Sequence, residues 1–90
     1  MTFQLLVHPK AASFLKKQDK PIKERITKKL RQLENNLELG KPLRYSNFWS
    51  LCVGNYRLIY EIDKEKKKIL VLFIGHRKNI YDNFSKLLFF

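Results

Sequence analysis

Two arginines and a tyrosine carry the clearest chemical signal in the sequence. Arg57 lies in G-N-Y-R-L-I-Y-E-I, starting at Gly54, while Arg77 and Tyr81 lie in V-L-F-I-G-H-R-K-N-I-Y, starting at Val71. A charged D-K-E-K-K-K segment separates the two apolar runs. If those runs pair antiparallel across the charged turn, Arg57 comes beside the end of the second run. Both guanidiniums then fall at one end of one sheet, with Tyr81 a few residues further on. A guanidinium is a planar fork matched to phosphate oxygens, so this grouping suits a phosphodiester better than a core. Such a set is physically sufficient to cleave RNA without a metal. The substrate's 2′-OH serves as nucleophile, cations stabilise charge building on the phosphorane, and further groups move two protons. Arg57 and Arg77 are candidates for the first task. Tyr81 and His76 are candidates for the second, since a neighbouring cation favours a phenolate. Each also has an ordinary structural reading: Arg57 paired with Glu61, Arg77 capping the sheet end, Tyr81 in a helix core, His76 in an exposed turn.

Other chemistries find little support. His8 and His76 are the only histidines, and neither belongs to an H-x-x-x-H pattern or a carboxylate cluster, so no metal and no cofactor is expected. Gly40, Gly54 and Gly75 are the only glycines and cannot build a nucleotide-phosphate loop. No nucleophile sits in a recognisable elbow. The lone Cys52 has no intrachain disulfide partner, which makes a reducing cytoplasm the expected setting, and its apolar surroundings predict a small buried hydrophobe.

Charge narrows the partners. Nineteen Lys and Arg against eight Asp and Glu give a net charge of +11, which attracts polyanions: a nucleic acid, an acidic protein, or both. No apolar run approaches the ~18–20 residues that span a bilayer, so no membrane partner is expected. The opening M-T-F-Q-L-L-V-H-P-K lacks the charged leader, long apolar core and small-residue cleavage site of a signal peptide.

Hydrophobic spacing predicts the elements that position these groups. Phe3 to His8 reads as a short strand ended by Pro9, and Lys10 to Gln18 as a helix with Ala11, Phe14 and Leu15 on one face. Asp19 is available as a cap and Pro21 sits near the first helical position. Ile22, Ile26, Leu30, Leu33 and Leu37 then recur at helical spacing until Gly40 and Pro42. Nine basic and two acidic residues between Lys10 and Arg31 place a positive stripe on the solvent side of these helices. Lys41 to Asn47 reads as a loop. Phe48 to Val53, Tyr56 to Asp63 and Ile69 to Ile74 read as strands, the last apolar enough to be covered on both faces. A short C-terminal helix is expected from Asn79 onward, ending in the apolar Leu87 to Phe90. The order β-α-α-β-β-β-α implies one α+β domain over residues 1–90, with two N-terminal helices packed on a mostly antiparallel four-stranded sheet.

Together the blocks G-x-Y-R-(hydrophobic)-(hydrophobic)-Y and G-H-R-x-x-(hydrophobic)-Y, preceded by the helix pair and L-R-Y-S-N-F-W-S-L, resemble a RelE-type toxin of the RelE/ParE toxin–antitoxin superfamily. The resemblance spans essentially the whole chain. It implies a small cytosolic fold similar to microbial ribonucleases, which enters the ribosomal A site and cuts mRNA without a metal. It also implies a RelB-type antitoxin held in a hetero-oligomer, so that the positive charge serves both ribosomal RNA and an acidic protein. Carried onto this sequence, Arg57, Arg77 and Tyr81 match the family's catalytic positions, and Lys41, Arg44, His76 and Lys78 become candidate RNA contacts. One departure stands out. Phe48, Ser50 and Cys52 occupy the strand where the family's best-known enzyme has lysines, and Lys41 and Arg44 are candidates to substitute for them. ParE-type toxins, which inhibit DNA gyrase and cut no RNA, share much of the first block. A gyrase-binding toxin and a catalytically weakened antitoxin-binding module are therefore alternatives.

Overall fold

Alternating side chains from Tyr56 to Asp63 divide that segment between two environments, and the sheet is built around it. The computed structural model of the chain describes residues 3–43 and 47–78. It comprises β1 (Gln4–Val7), α1 (Pro9–Lys16), α2 (Lys20–Asn35), β2 (Lys41–Pro42), β3 (Phe48–Val53), β4 (Tyr56–Asp63) and β5 (Lys68–His76). The architecture is α+β, as expected. The sheet has five strands, not four, in the order β1-β5-β4-β3-β2. The extra strand is Lys41–Pro42, expected to be loop, which pairs antiparallel with β3 through Lys41↔Ser50 and Pro42↔Trp49. A two-residue edge strand containing a proline leaves no periodicity to read, and the edge position tolerates the missing N–H. The remaining neighbours of β3, β4 and β5 are antiparallel, while β1 runs parallel to β5. The parallel pair β1 and β5 is joined by everything between them, both helices and three strands, which satisfies the long connection that a parallel pair requires.

Local chemistry sets the helix ends. His8 is the N-cap of α1, where its Nδ1 accepts from the Lys10 N–H at 3.1 Å, and Pro9 opens the helix. Asp19 takes the N-cap position of α2, and Pro21 lies in the first turn. One face of α2 buries Ile26, Leu30 and Leu33 against the sheet. The helix ends at Asn35, short of the expected stop at Gly40, and Leu37 joins the core from outside it. Gly40 has a different task. A Cβ there would collide with the Ser50 carbonyl oxygen and lie 3.0 Å from Tyr60 Oη. Its N–H donates to Tyr60 Oη at 3.1 Å, and Tyr60 donates to the Leu37 carbonyl at 2.9 Å.

The main core lies between helices and sheet, where Ile26, Leu33, Leu58, Tyr60, Ile69 and Val71 are wholly buried. A smaller cluster on the opposite face gathers Leu43, Phe48 and Phe73 around Ile59. β5 is an interior strand, but its coverage is uneven: Ile69, Val71 and Ile74 are buried, whereas Leu70, Leu72 and Phe73 are only half-buried. The expected C-terminal helix and the Leu87 to Phe90 tail lie outside the described residues.

Candidate functional site

Register decides which side chains share a face with Arg57. β3 and β4 are joined by the two-residue turn Gly54-Asn55, with Gly54 at φ +61°, as the first position of a type II′ hairpin turn requires. Pairing then sets Arg57 opposite Cys52, and Ile59 opposite Ser50. On the other side, Arg57 is opposite Gly75 and Ile59 is opposite Phe73. Cross-strand partners point to the same face, so Ser50, Cys52 and Arg57 stand together on the face away from the helices. Lys41 joins them through its pairing with Ser50.

Arg57 is half-buried, and its Nη1 donates to Ser50 Oγ at 3.5 Å, near the limit for such a bond. Ser50 itself is only 7% exposed. Beside them is an open cleft of about 440 Å³, whose lining includes Lys41, Ser50, Cys52 and Arg57. Glycine at position 75 contributes no side chain over Arg57 from β5. The arrangement offers cations, a hydroxyl and a thiol to a solvent-accessible anion. Cys52 is exposed, in contrast to the buried hydrophobe expected of it, because the alternation of β3 turns it to this thinly covered face.

Arg77 follows β5 directly. Its backbone N–H donates to the Asn55 carbonyl at 2.9 Å, which ties the end of β5 to the Gly54-Asn55 turn. Arg77 and Lys78 are both exposed. His76 is on the other face: it pairs with Tyr56, their rings meet edge-on at 5.6 Å, and Tyr56 in turn meets Phe14 of α1 at 6.1 Å. The sheet therefore separates the His76 ring from the Arg57 guanidinium. Arg44 and Tyr81 lie outside the described residues. Among the described residues, no group of three or more His, Cys, Asp and Glu side chains is placed to hold a metal ion.

Two residues matter more than the sequence pattern alone conveyed. Ser50 is the neighbour of Arg57, and a two-residue hairpin turn at Gly54-Asn55 fixes that pairing by counting. Tyr60 is wholly buried, and burial raises its phenol above the ordinary value of 10.0. The Gly40 N–H opposes that shift, and the charge of Glu38 adds to it. Tyr60 thereby fixes the segment from which Lys41 emerges.

The fold agrees with comparison to known proteins. The family described as the ParE toxin of the type II toxin–antitoxin system parDE matches residues 5–81, and the chain belongs to that RelE/ParE toxin superfamily. Among its relatives is Toxin RelG of Mycobacterium tuberculosis, 43% identical over 47 residues, covering 50% of this chain and 54% of the relative. The chain thus spans about half the length of that curated relative in the match. Two solved complexes extend the likeness. The toxin–antitoxin complex RelBE2 of Mycobacterium tuberculosis includes a chain 28% identical, with a TM-score of 0.78, covering 86% of this chain and 100% of that one. The RelB–RelE antitoxin–toxin complex of Methanococcus jannaschii includes a chain 30% identical, with a TM-score of 0.69, covering 88% of this chain and 98% of that one. No helix among the described residues is long and apolar enough to cross a membrane.

Proposed function

We propose that this toxin is a ribosome-dependent mRNA endoribonuclease acting in the cytoplasm, inhibiting translation by metal-free cleavage in the A site. The observation that supports it most is the convergence of Arg57 and Arg77 at one end of the sheet, through the Arg57↔Gly75 pairing and the bond from Arg77 N–H to Asn55. In this reading Arg57 grips a non-bridging phosphate oxygen and holds the charge that accumulates when the 2′-oxygen attacks. Ser50 steadies its guanidinium. Arg77 supplies a second cation from the exposed turn, with Tyr81 assisting orientation or proton transfer. Lys41, Arg44 and Lys78 contact the RNA backbone, and His76 contributes from the opposite side of the sheet end. A RelB-type antitoxin is the proposed protein partner, supported by the solved complexes of RelB with RelE.

The test is to map mRNA ends on translating ribosomes supplied with wild type, Arg57→Ala and Arg77→Ala. Codon-phased cuts are expected from the wild type. Losing one group that stabilises the transition state should slow cleavage by about 100-fold or more. Wild-type cutting in both variants would overturn the assigned roles. A second reading, a toxin that binds DNA gyrase without cutting RNA, has two observations behind it: the matching family is described as ParE, and β3 presents Ser50 and Cys52 to Arg57 where a basic group would aid proton transfer. Altered plasmid supercoiling with intact mRNA would select it.

A further inference from the structure

The two-residue strand β2 delivers one cation to the Arg57 cleft, and its backbone is held on both sides of that cation. Ahead of Lys41, the Gly40 N–H donates to the buried Tyr60 hydroxyl at 3.1 Å. Beyond it, the Leu43 N–H donates to the Phe48 carbonyl at 2.8 Å. Between these ties Lys41 pairs with Ser50, which stands on the face that carries Arg57. Two strand spacings set β2 about 10 Å from β4, so Lys41 and Arg57 approach the cleft from opposite sides of Ser50. Among the described residues they are the only charged side chains in its lining, and no carboxylate joins them there. Lys41 is exposed, and among the described residues no hydrogen bond or ion pair holds its ammonium. A phosphodiester in the cleft meets Arg57 on one side and Lys41 on the other.

We infer that Lys41 is the general acid of the RNA cleavage proposed above, on which the inference rests, and protonates the 5′-oxygen that leaves phosphorus. An ammonium offers three donors and no acceptor, which suits the oxygen that gains a proton and not the 2′-OH that loses one. In-line attack puts the entering 2′-oxygen and the leaving 5′-oxygen on opposite sides of phosphorus. With Arg57 on a non-bridging oxygen, Lys41 serves the end toward β2, and the 2′-oxygen enters from the end toward β5 and Arg77. As the 2′-oxygen bonds to phosphorus, the P–O5′ bond breaks and its electron pair stays on O5′. Lys41 Nζ gives that oxygen a proton and becomes a neutral amine, which water reprotonates, while the 2′-OH proton passes to solvent. The products are a 2′,3′-cyclic phosphate end and a 5′-OH end. The Cys52 thiol is the rival donor in the same cleft.

Sulfur in place of the 5′-oxygen makes a leaving group that needs no proton, so it separates the loss of an acid from other damage. Ribosomes are programmed with mRNA carrying either atom at the cut linkage, which end mapping locates first, and are treated with the full chain. Lys41→Gln should cut the oxygen linkage about 100-fold or more slowly, and the sulfur linkage within about threefold of wild type. Arg57→Ala should be slow on both, because its guanidinium stabilises charge on the phosphorane. Lys64→Gln, in the turn that follows β4 at the far end of the sheet, should match wild type on both. Three results would each overturn the inference and leave the endoribonuclease reading intact: wild-type cutting of the oxygen linkage by Lys41→Gln, equal slowing on both linkages, or selective sulfur rescue in Cys52→Ala instead. A wild type that yields no cuts overturns both.

Discussion

Replacing Tyr60 with phenylalanine isolates one hydroxyl whose surroundings are fully specified. Its oxygen accepts from the Gly40 N–H at 3.1 Å and its proton goes to the Leu37 carbonyl at 2.9 Å. The ring is 0% exposed, and phenylalanine retains all of its apolar contact. The loss is therefore two hydrogen bonds, each worth about 0.5–1.5 kcal/mol net, with the backbone groups of Leu37 and Gly40 left to find water. A destabilisation of about 2 kcal/mol follows, which lowers Tm by roughly 8–16 °C in a domain of this size. Urea titration should show a lower midpoint with an unchanged slope, because the surface exposed on unfolding is the same. The phenol also has a pH signature. Burial raises its pKa in the folded state above 10.0, so the folded protein holds this proton more tightly than the unfolded chain does. That part of the stability is complete below pH about 10 and is lost as pH rises toward the folded value. Tyr60→Phe should flatten this alkaline decline. A change below about 0.5 kcal/mol, together with an alkaline limb identical to wild type, would refute the assignment of Tyr60 as the clasp.

Three further outcomes test other features of the structure. Gly40→Ala drives a methyl group into the Ser50 carbonyl, and backbone in a paired strand cannot yield cheaply; a cost of about 1–3 kcal/mol is expected by urea denaturation. Because Gly40 and Tyr60 share one contact, the Gly40→Ala/Tyr60→Phe double variant should cost less than the sum of the singles. The exposed Cys52 thiol should react completely with a disulfide reagent under native conditions, and a short RNA that occupies the Arg57 cleft should slow that reaction. Labelling that requires denaturant would contradict the exposed position.

The sequence made the fold legible wherever apolar spacing was long enough to carry a period. β3 and β4 occupy the expected residues, Phe48–Val53 and Tyr56–Asp63, and the buried face of α2 is the expected one. What escaped was short or depended on tertiary contact. β2 has only two residues, and its pairing partner is seven or more positions away across Leu43 to Asn47. Gly40 looks like a helix stop in one dimension, but the helix ends at Asn35, where the Asn36 N–H bonds back to Gln32 and Leu33. The exposure of Cys52 is not legible in F-W-S-L-C-V, where Ser50 is the single polar residue, and only the pairing with Arg57 shows that its face is the thinly covered one. The nearness of the two arginine positions was legible from the turn that joins their strands. The separation of His76 from Arg57 was not, since it rests on which face position 76 takes.

All of these placements depend on one register. Along β4, Leu58 and Tyr60 face the helices while Arg57 and Ile59 face away, so a slip of one residue would bury the guanidinium and expose the core. The hairpin turn guards against that slip. Gly54 adopts a φ of +61° that other residues rarely accept, and the turn holds only two residues, so Val53 must oppose Tyr56. From that pair outward the strand count leaves no freedom: Cys52 meets Arg57, and Ser50 meets Ile59. The bond from Arg77 N–H to Asn55 then anchors the end of β5 to the same turn. A residue with no functional side chain therefore sets where Arg57 points and where Arg77 begins. It does so through backbone geometry that the dipeptide Gly-Asn already encodes.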